Sequence, residues 1–240
     1  MGVPEVIDRL RSIESASARS NGVACFARLY REVTEGVNAE LEHRTVADAR
    51  FIAELDVCFA GLFFSALDAY RTKPGNEPPA WRPLFQGQSA RGVAPLQFAL
   101  AGMNAHINRD LPVALVTTCR ALALDLSEST PEHADFVRVN TLLAQVEQRI
   151  KRSYVTGWLG AVDRLVHRVH RIDDVVAMWD VARARDAAWT NAEALWALHG
   201  DTALESAFLA TLDRMVGLAS RGFLIPADSV LQKLGRSLHL

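Results

Sequence analysis

The densest group of side chains capable of chemistry lies in residues 100–112, which read LAGMNAHINRDLP. In a helix, His106 and Asp110 are four residues apart and face the same direction. Such a pair can bind a metal ion, transfer a proton, or form a hydrogen bond that only stabilises the fold. Helical phasing places Asp110 inside the apolar face of this helix and His106 at its edge. Because a buried charge costs several kcal/mol unless it is paired, the position of Asp110 predicts a site or a structural partner.

Three further residues are candidates for binding a substrate beside this pair. Asn104 and Asn108 fall on the flank opposite Asp110, where an amide could orient a bound molecule. Trp81, in a different segment, is the aromatic candidate. Arg109 is predicted to point away from the core.

A second inward-facing aspartate is predicted on the helix that covers about 45–70. The apolar side chains of this helix form a broad arc, and Asp56 lies within it. Asp56, His106 and Asp110 are therefore candidate catalytic groups. They are also candidate ligands for a divalent metal such as zinc, iron or manganese. The alternative is a hydrogen-bonded network that serves only the fold.

A further polar row consists of Asp163, His167, His170 and Asp174, at spacings of four, three and four. On one helix face these residues could bind a metal. The apolar stripe of the same helix lies about a third of a turn away. The pattern therefore favours a solvated face and makes His167 and His170 weak metal candidates.

Weaker candidates lie elsewhere in the chain. Asp135 and Asn140 follow a helix start, and Arg185 and Trp189 have the spacing of a structural cation–π pair. No nucleotide-binding glycine motif, nucleophile elbow or H-E-x-x-H metal motif is present.

The composition excludes several classes of protein. The 240 residues are 50% hydrophobic and 22% charged, with a formal net charge of -2, a profile typical of soluble globular proteins. Without a basic block, neither nucleic acid nor an anionic membrane is expected as a partner. The N-terminus does not resemble a signal peptide and no apolar run is long enough to span a bilayer, so a cytoplasmic protein is expected. The three dispersed cysteines predict free thiols.

Helical periodicity predicts one all-α domain over residues 1–240, a bundle of about eight helices. The predicted helices cover about 4–16, 23–41, 45–70, 93–110, 130–152, 155–172, 174–198 and 202–219, with a short helix after Pro226. Pro112 should kink or restart the chain. The long irregular segment 71–91 is rich in proline and glycine, with a short helical turn expected around Trp81 and Phe85. Loops of this length often act as lids or binding loops.

The motif MNAHINRDL at 103–111 extends into a wider resemblance. Its further members are LD at 55–56, FA at 59–60, Trp81, Phe85, and ARARDAAW at 182–189. Together they resemble an uncharacterised bacterial family, a domain of unknown function with an MNAHINxDL motif. The resemblance covers most of the chain and implies no particular activity.

A second resemblance is local. The segment HINRDLP at 106–112 is similar to the HxxxD…P segment of all-α zinc-dependent phospholipases C and related nucleases. This similarity implies zinc binding by His106 and Asp110, and the helical class of those enzymes also fits. The histidine that they carry shortly after the proline is missing here, as is their N-terminal tryptophan ligand.

Three functional hypotheses follow. The first is an enzyme that acts on a small molecule, with a divalent metal that assists hydrolysis of an ester or phosphoester. The second is a metal-free acid–base cyclase or lyase of secondary metabolism that uses the same groups. The third is a non-catalytic helical binding protein with a structural His–Asp network.

Overall fold

Helices and short connections make up the described residues, which in this computed structural model are 2–41, 46–140, 143 and 180–226. No strand occurs among them, so the all-α prediction is confirmed. In chain order the helices are α1 (Val3–Ser15), α2 (Gly22–Leu41), α3 (Ala49–Thr72), α4 (Arg82–Gly87), α5 (Pro95–Ala105), α6 (Leu111–Leu122), α7 (131–140), α8 (Val181–Ala197) and α9 (Thr202–Phe223). A π-helical turn, His106–Asp110, connects α5 to α6.

Aspartate caps define where several helices start. The side chain of Asp48 accepts the N–H of Phe51 at 2.9 Å, and Asp180 and Asp201 cap α8 and α9 in the same way. Such a cap satisfies an N–H group that the first helical turn leaves without a partner. Helix α3 therefore begins at Ala49, a few residues later than the sequence pattern predicts.

Asp135, a weaker site candidate, has a structural role at the same place. Its fully buried carboxylate on α7 accepts the N–H of Ala47 at 3.0 Å and the N–H of Asp48 at 2.7 Å. Its Oδ1 also contacts the guanidinium of Arg138 at 2.9 Å. The start of α3 is thereby attached to α7.

Helix α5 lies at the centre of the described bundle. Every residue from Leu96 to Ala105 is buried, because both α2 and α9 pack against this helix. Helices α3 and α8 pack against α6, the next helix along the chain. Polar side chains on this central stretch therefore need partners from the protein or from a bound molecule.

The close approach of α2 and α5 depends on Gly102. A β-carbon there would lie 2.4 Å from ring atoms of Phe26, which is fully buried. We expect Gly102→Ala to lower the free energy of unfolding by about 1–3 kcal/mol, measured by urea denaturation. The matched control is Gly61→Ala in α3, where a β-carbon would meet no atom within 4 Å. There alanine should stabilise the helix by about 0.5–1 kcal/mol, so equal losses in both variants would contradict the prediction.

The middle of the proline-rich segment 71–91 belongs to the core. Helix α4, with Pro83 in its first turn, confirms the short helical turn predicted around Trp81 and Phe85. The side chains of Trp81, Leu84 and Phe85 have no exposed surface. This part of the segment therefore supports the site from within the bundle.

Some predictions concern residues outside the described ranges. These are the helix at 155–172, the row Asp163, His167, His170 and Asp174, and the helix after Pro226. None of the helices in the described ranges is both long and apolar enough to cross a membrane. The three cysteines are free thiols, as predicted.

Candidate functional site

The candidate site is built around the π-helical turn. The N–H of Leu111 donates to the carbonyl of His106, five residues back instead of the usual four. Pro112 accounts for the wider turn, because proline has no N–H and its ring clashes with the carbonyl four residues earlier. The break predicted at Pro112 is thus a local widening in a continuous helical stretch. Single π turns of this kind are frequent at functional sites.

Asp110 is the most heavily bonded side chain at the site. Its Oδ2 accepts the indole N–H of Trp81 at 3.0 Å and lies 3.2 Å from Nδ1 of His106. Its Oδ1 accepts a guanidinium N–H of Arg109 at 2.9 Å. Asp110 is 0% exposed and His106 is 1% exposed, which confirms the predicted inward orientation of the pair.

These bonds determine which nitrogen of His106 carries the proton. A carboxylate can only accept hydrogen bonds, so Nδ1 of His106 must donate to Asp110. In the neutral ring Nε2 is then an unprotonated acceptor. Nε2 is buried and has no hydrogen-bond partner among the described residues. The pair therefore presents one basic nitrogen inside the bundle.

Aromatic rings surround the imidazole of His106. Phe59 stacks on it with ring centroids 3.5 Å apart and planes 5° apart, and Tyr30 meets it edge-on at 4.5 Å. The rings of Phe26, Trp81 and Phe63 lie 5.7, 5.9 and 6.3 Å away. Apart from Trp81, sequence analysis assigned none of these residues to the site. The available signal was the spacing of four residues between Phe26 and Tyr30 on α2, and between Phe59 and Phe63 on α3.

The apolar surroundings set the protonation of two groups. Burial lowers the pKa of His106, and the hydrogen bond to Asp110 offsets this only in part. The imidazole is therefore neutral at pH 7. Burial also raises the pKa of Tyr30 well above 10, and the nearby carboxylates of Asp56 and Asp110 raise it further. The Tyr30 hydroxyl consequently keeps its proton.

Asp56 lies near this pair without a hydrogen bond to it. The residue is partly exposed, but its Oδ2 is buried and has no partner among the described residues. Burial raises the pKa of Asp56 from 3.8 to about 6, so this carboxyl can gain or lose a proton close to neutral pH.

Because its pKa is raised in the folded state, Asp56 should make the free energy of unfolding depend on pH. The Asp56 carboxyl loses its proton at a lower pH in the unfolded chain than in the folded one. Its ionisation therefore lowers the free energy of unfolding progressively between about pH 4 and pH 6, and the loss is largest above pH 6. We expect Asp56→Asn to stabilise the protein by on the order of 2–3 kcal/mol at pH 7 and by much less at pH 4. Urea denaturation at both pH values measures this difference. The exposed Asp8→Asn is the control, and a gain from Asp56→Asn that does not change with pH would contradict the prediction.

A cavity of about 230 Å³ opens beside Asp56. Most of its lining side chains are apolar, and its polar members are Thr34, Asn38, Asp56 and Arg185. Phe59 also lines it, so this ring contacts both the cavity and the imidazole of His106. Thr34 Oγ1, like Asp56 Oδ2, is buried and has no partner among the described residues. Buried polar atoms without partners beside a cavity are typical of a binding site for a small molecule.

The prediction that Arg109 points away from the core is wrong. Its side chain is 15% exposed, with one nitrogen 2.9 Å from Asp110 and Nε 3.3 Å from Oδ1 of Asp213. Asp213, on α9, also accepts the N–H of Ala80. Arg109 faces inward because α9 covers this side of the π turn. Sequence analysis missed Asp213, although Asp213, Gly217 and Ser220 form a buried stripe of polar and small residues on α9.

The predicted substrate-binding residues bond to protein groups. Asn104 is buried and donates to the carbonyl of Val216 at 3.0 Å and to Ser220 Oγ at 2.9 Å, which attaches α5 to α9. Asn108 donates to the side-chain oxygen of Asn104 at 3.0 Å. Trp81 donates to Asp110, and none of the three predicted residues lines the cavity. Substrate binding by these residues stays a prediction.

The described residues do not provide a metal-binding group. No three His, Cys, Asp or Glu side chains in these ranges lie together as ligands. Both oxygens of Asp110 accept protein hydrogen bonds, and Asp56 makes no hydrogen bond with the His106–Asp110 pair. These contacts do not fit a zinc site of the kind that the phospholipase C resemblance implies.

The other weak candidates also have packing roles. The guanidinium of Arg185 lies over the ring of Phe136, 4.0 Å from its centroid. The indole of Trp189 instead donates to Glu193. The cation–π partner of Arg185 is therefore Phe136, and the pairing predicted from spacing alone is wrong. Asn140 accepts a hydrogen bond from Arg185 and donates to Asp186.

The fold and the site define an all-α protein with a buried, carboxylate-oriented histidine beside a small cavity. The family model described as "Family of unknown function (DUF5995)" matches residues 3–226, and the chain belongs to this family. The match agrees with the resemblance carried by the MNAHINRDL motif. Comparison with curated proteins found no match, and neither did comparison with solved structures.

Proposed function

We propose that this protein is a metal-independent acid–base enzyme that acts on a small molecule bound between α2 and α3. The observation that carries the proposal is Nε2 of His106, which is buried and has no hydrogen-bond partner in the described part of the chain, while burial keeps the ring neutral at pH 7. An imidazole whose other nitrogen is held by a carboxylate is the usual arrangement of a general base. A histidine that served only the fold would be expected to bond through both ring nitrogens.

Two neighbouring groups can complete a proton transfer. The Asp56 carboxyl exchanges its proton near pH 6, close to the pH range where general acids and bases are most effective. The Tyr30 hydroxyl remains protonated and can donate a hydrogen bond to developing negative charge. A base, a titratable carboxyl and a neutral donor suit proton abstraction and return at a substrate carbon, as in a lyase or cyclase.

A second candidate is a non-catalytic binding protein. The observation that favours it is the position of Phe59, whose ring covers a face of the imidazole and also lines the cavity. A molecule could occupy the cavity without touching His106. Metal-dependent ester or phosphoester hydrolysis has less support, because the oxygens of Asp110 are already engaged.

A comparison of small-molecule conversion tests the proposal. Purified wild type, His106→Asn and Asp56→Asn are each incubated with a metabolite extract of the source cells, and mass spectrometry follows every compound. We expect at least one compound to be consumed by wild type and not by His106→Asn. Asp56→Asn keeps the fold, because Asp56 makes no hydrogen bond within the described residues, and should also slow the conversion. A compound that co-purifies with all three proteins without conversion would favour the binding protein.

A further inference from the structure

Arg185 is a buried cation on the lining of the same cavity. It is 6% exposed and lies on α8. Its Nε donates to the amide oxygen of Asn140, and one terminal nitrogen donates to the carbonyl of Phe136 at 3.5 Å. The ring of Phe136 covers the guanidinium face. Among the described residues, all of these partners are uncharged.

The charge of Arg185 is therefore only partly compensated. Burial lowers its pKa to about 9, and Asp186 counteracts this effect without an ion pair. The guanidinium still carries its charge at pH 7. Arg185 has no carboxylate partner among the described residues, and a guanidinium on the lining of a mostly apolar cavity attracts an anion because its planar fork matches a carboxylate.

The two charged groups of the cavity occupy different parts of it. Asp56 Oδ2 has no hydrogen-bond partner among the described residues, and the nitrogens of Arg185 donate to Asn140 and to the carbonyl of Phe136 instead. The two charged groups therefore make no contact with each other in the described part of the chain. A ligand can therefore place an anionic group at Arg185 while a different part of it lies near Asp56 and Phe59.

The rest of the cavity limits the size and polarity of that ligand. The lining also includes the apolar side chains of Ile52, Leu111 and Val139. An apolar cavity of about 150 Å³ holds benzene, so 230 Å³ suffices for a ring or branched chain with a short substituent. A single cation matches a single negative charge, and a second negative charge on the ligand would be buried without a cationic partner among the described lining residues.

We infer that the substrate or ligand of this site is a small apolar carboxylic acid whose carboxylate binds Arg185. This inference deepens the proposed function. It rests on that function only where it places the reacting end of the ligand near Asp56. Binding of the ligand's carboxylate depends only on Arg185 and the cavity. The two parts can therefore fail separately.

The test compares an acid with its neutral analogue. Binding of 3-phenylpropanoate and of 3-phenylpropanamide is measured by calorimetry at pH 7 with wild type, Arg185→Gln, Arg185→Lys and the exposed control Arg183→Gln. We expect wild type and Arg183→Gln to bind the acid about ten- to a hundredfold more tightly than the amide. Arg185→Gln should lose this preference and Arg185→Lys should keep part of it. Ala53→Trp, which adds an indole at the lining of the cavity, should weaken both ligands.

Several outcomes would overturn the inference. These are equal affinity of wild type for acid and amide, no binding of either, or acid binding that survives in Ala53→Trp. If Arg185→Gln does not fold, the preference of wild type and its response to Arg185→Lys decide the question. Acid binding through Arg185 without any conversion in the metabolite comparison would support the inference and refute the catalytic proposal, whereas conversion of uncharged compounds alone would do the reverse.

Discussion

Replacing Asp110 by alanine is expected to lower the free energy of unfolding by about 3–5 kcal/mol, the largest stability effect at this site. The Asp110 carboxylate accepts hydrogen bonds from Trp81, His106 and Arg109, and it is completely buried. Its removal leaves these donors without an acceptor, and each unsatisfied buried group carries a desolvation cost. The guanidinium of Arg109 loses one of its two carboxylate contacts and keeps only the one with Asp213. Urea denaturation followed by circular dichroism measures the change.

The control for this prediction is an aspartate whose ion pair is exposed. Asp68 pairs with Arg9, and their side chains are 55% and 42% exposed. Asp68→Ala should change the free energy of unfolding by about 0–1 kcal/mol. Similar losses of unfolding free energy in the Asp68 and Asp110 variants would mean that the buried hydrogen bonds of Asp110 do not stabilise the fold more than an exposed ion pair does. Asp110→Asn, which keeps one acceptor oxygen in place, should fall between the two.

Replacing His106 by asparagine is expected to reduce turnover by about a hundredfold to ten-thousandfold, the usual contribution of a general base. Asparagine can still donate a hydrogen bond to Asp110 from a position close to Nδ1, but it has no counterpart of Nε2. The variant therefore removes the basic nitrogen Nε2 while it preserves the hydrogen bond to Asp110. The measurement is kcat/KM on the compound found in the metabolite comparison, together with the free energy of unfolding.

The pH dependence distinguishes a general base from a structural histidine. Because burial lowers the pKa of His106, the base is unprotonated at pH 7 and loses activity only as pH falls through a value below 6.5. We expect kcat/KM of wild type to be level between pH 7 and 8 and to decrease on the acid side. The exposed control His199→Asn, whose side chain is 69% exposed, should keep both the rate and the profile. A His106→Asn variant with wild-type kcat and reduced stability would refute the catalytic role.

Much of the fold could be predicted because helix formation leaves local signals. The period of apolar residues predicted most of the described helices within a few residues. The inward orientation of His106 and Asp110 was also predictable, because residues four apart share a face even through a π turn. The aspartate on the apolar face gave a physical reason to expect a partner. It did not name that partner as Trp81, which lies on another part of the chain.

The errors came from neighbours that a single-helix projection does not contain. Arg109 was predicted to face solvent, yet α9 supplies Asp213 on that side. The same helix also covers the flank of Asn104, where Val216 and Ser220 accept its hydrogen bonds, while substrate binding by Asn104 stays a prediction. A central helix has neighbours on several sides, so amphipathic phasing identifies its most apolar face and not its exposed one.

The amino-acid sequence by itself determined the helical class, the positions of most described helices and the His106–Asp110 pair, since each depends on residues close together in the chain. Only the tertiary structure decided which groups surround that pair. The stacked ring of Phe59, the cavity between α2 and α3, and the position of Arg185 on its lining all arise from contacts between distant helices. The protonation of His106 and Asp56 follows from the same contacts, because burial shifts their pKa values away from those of the free side chains.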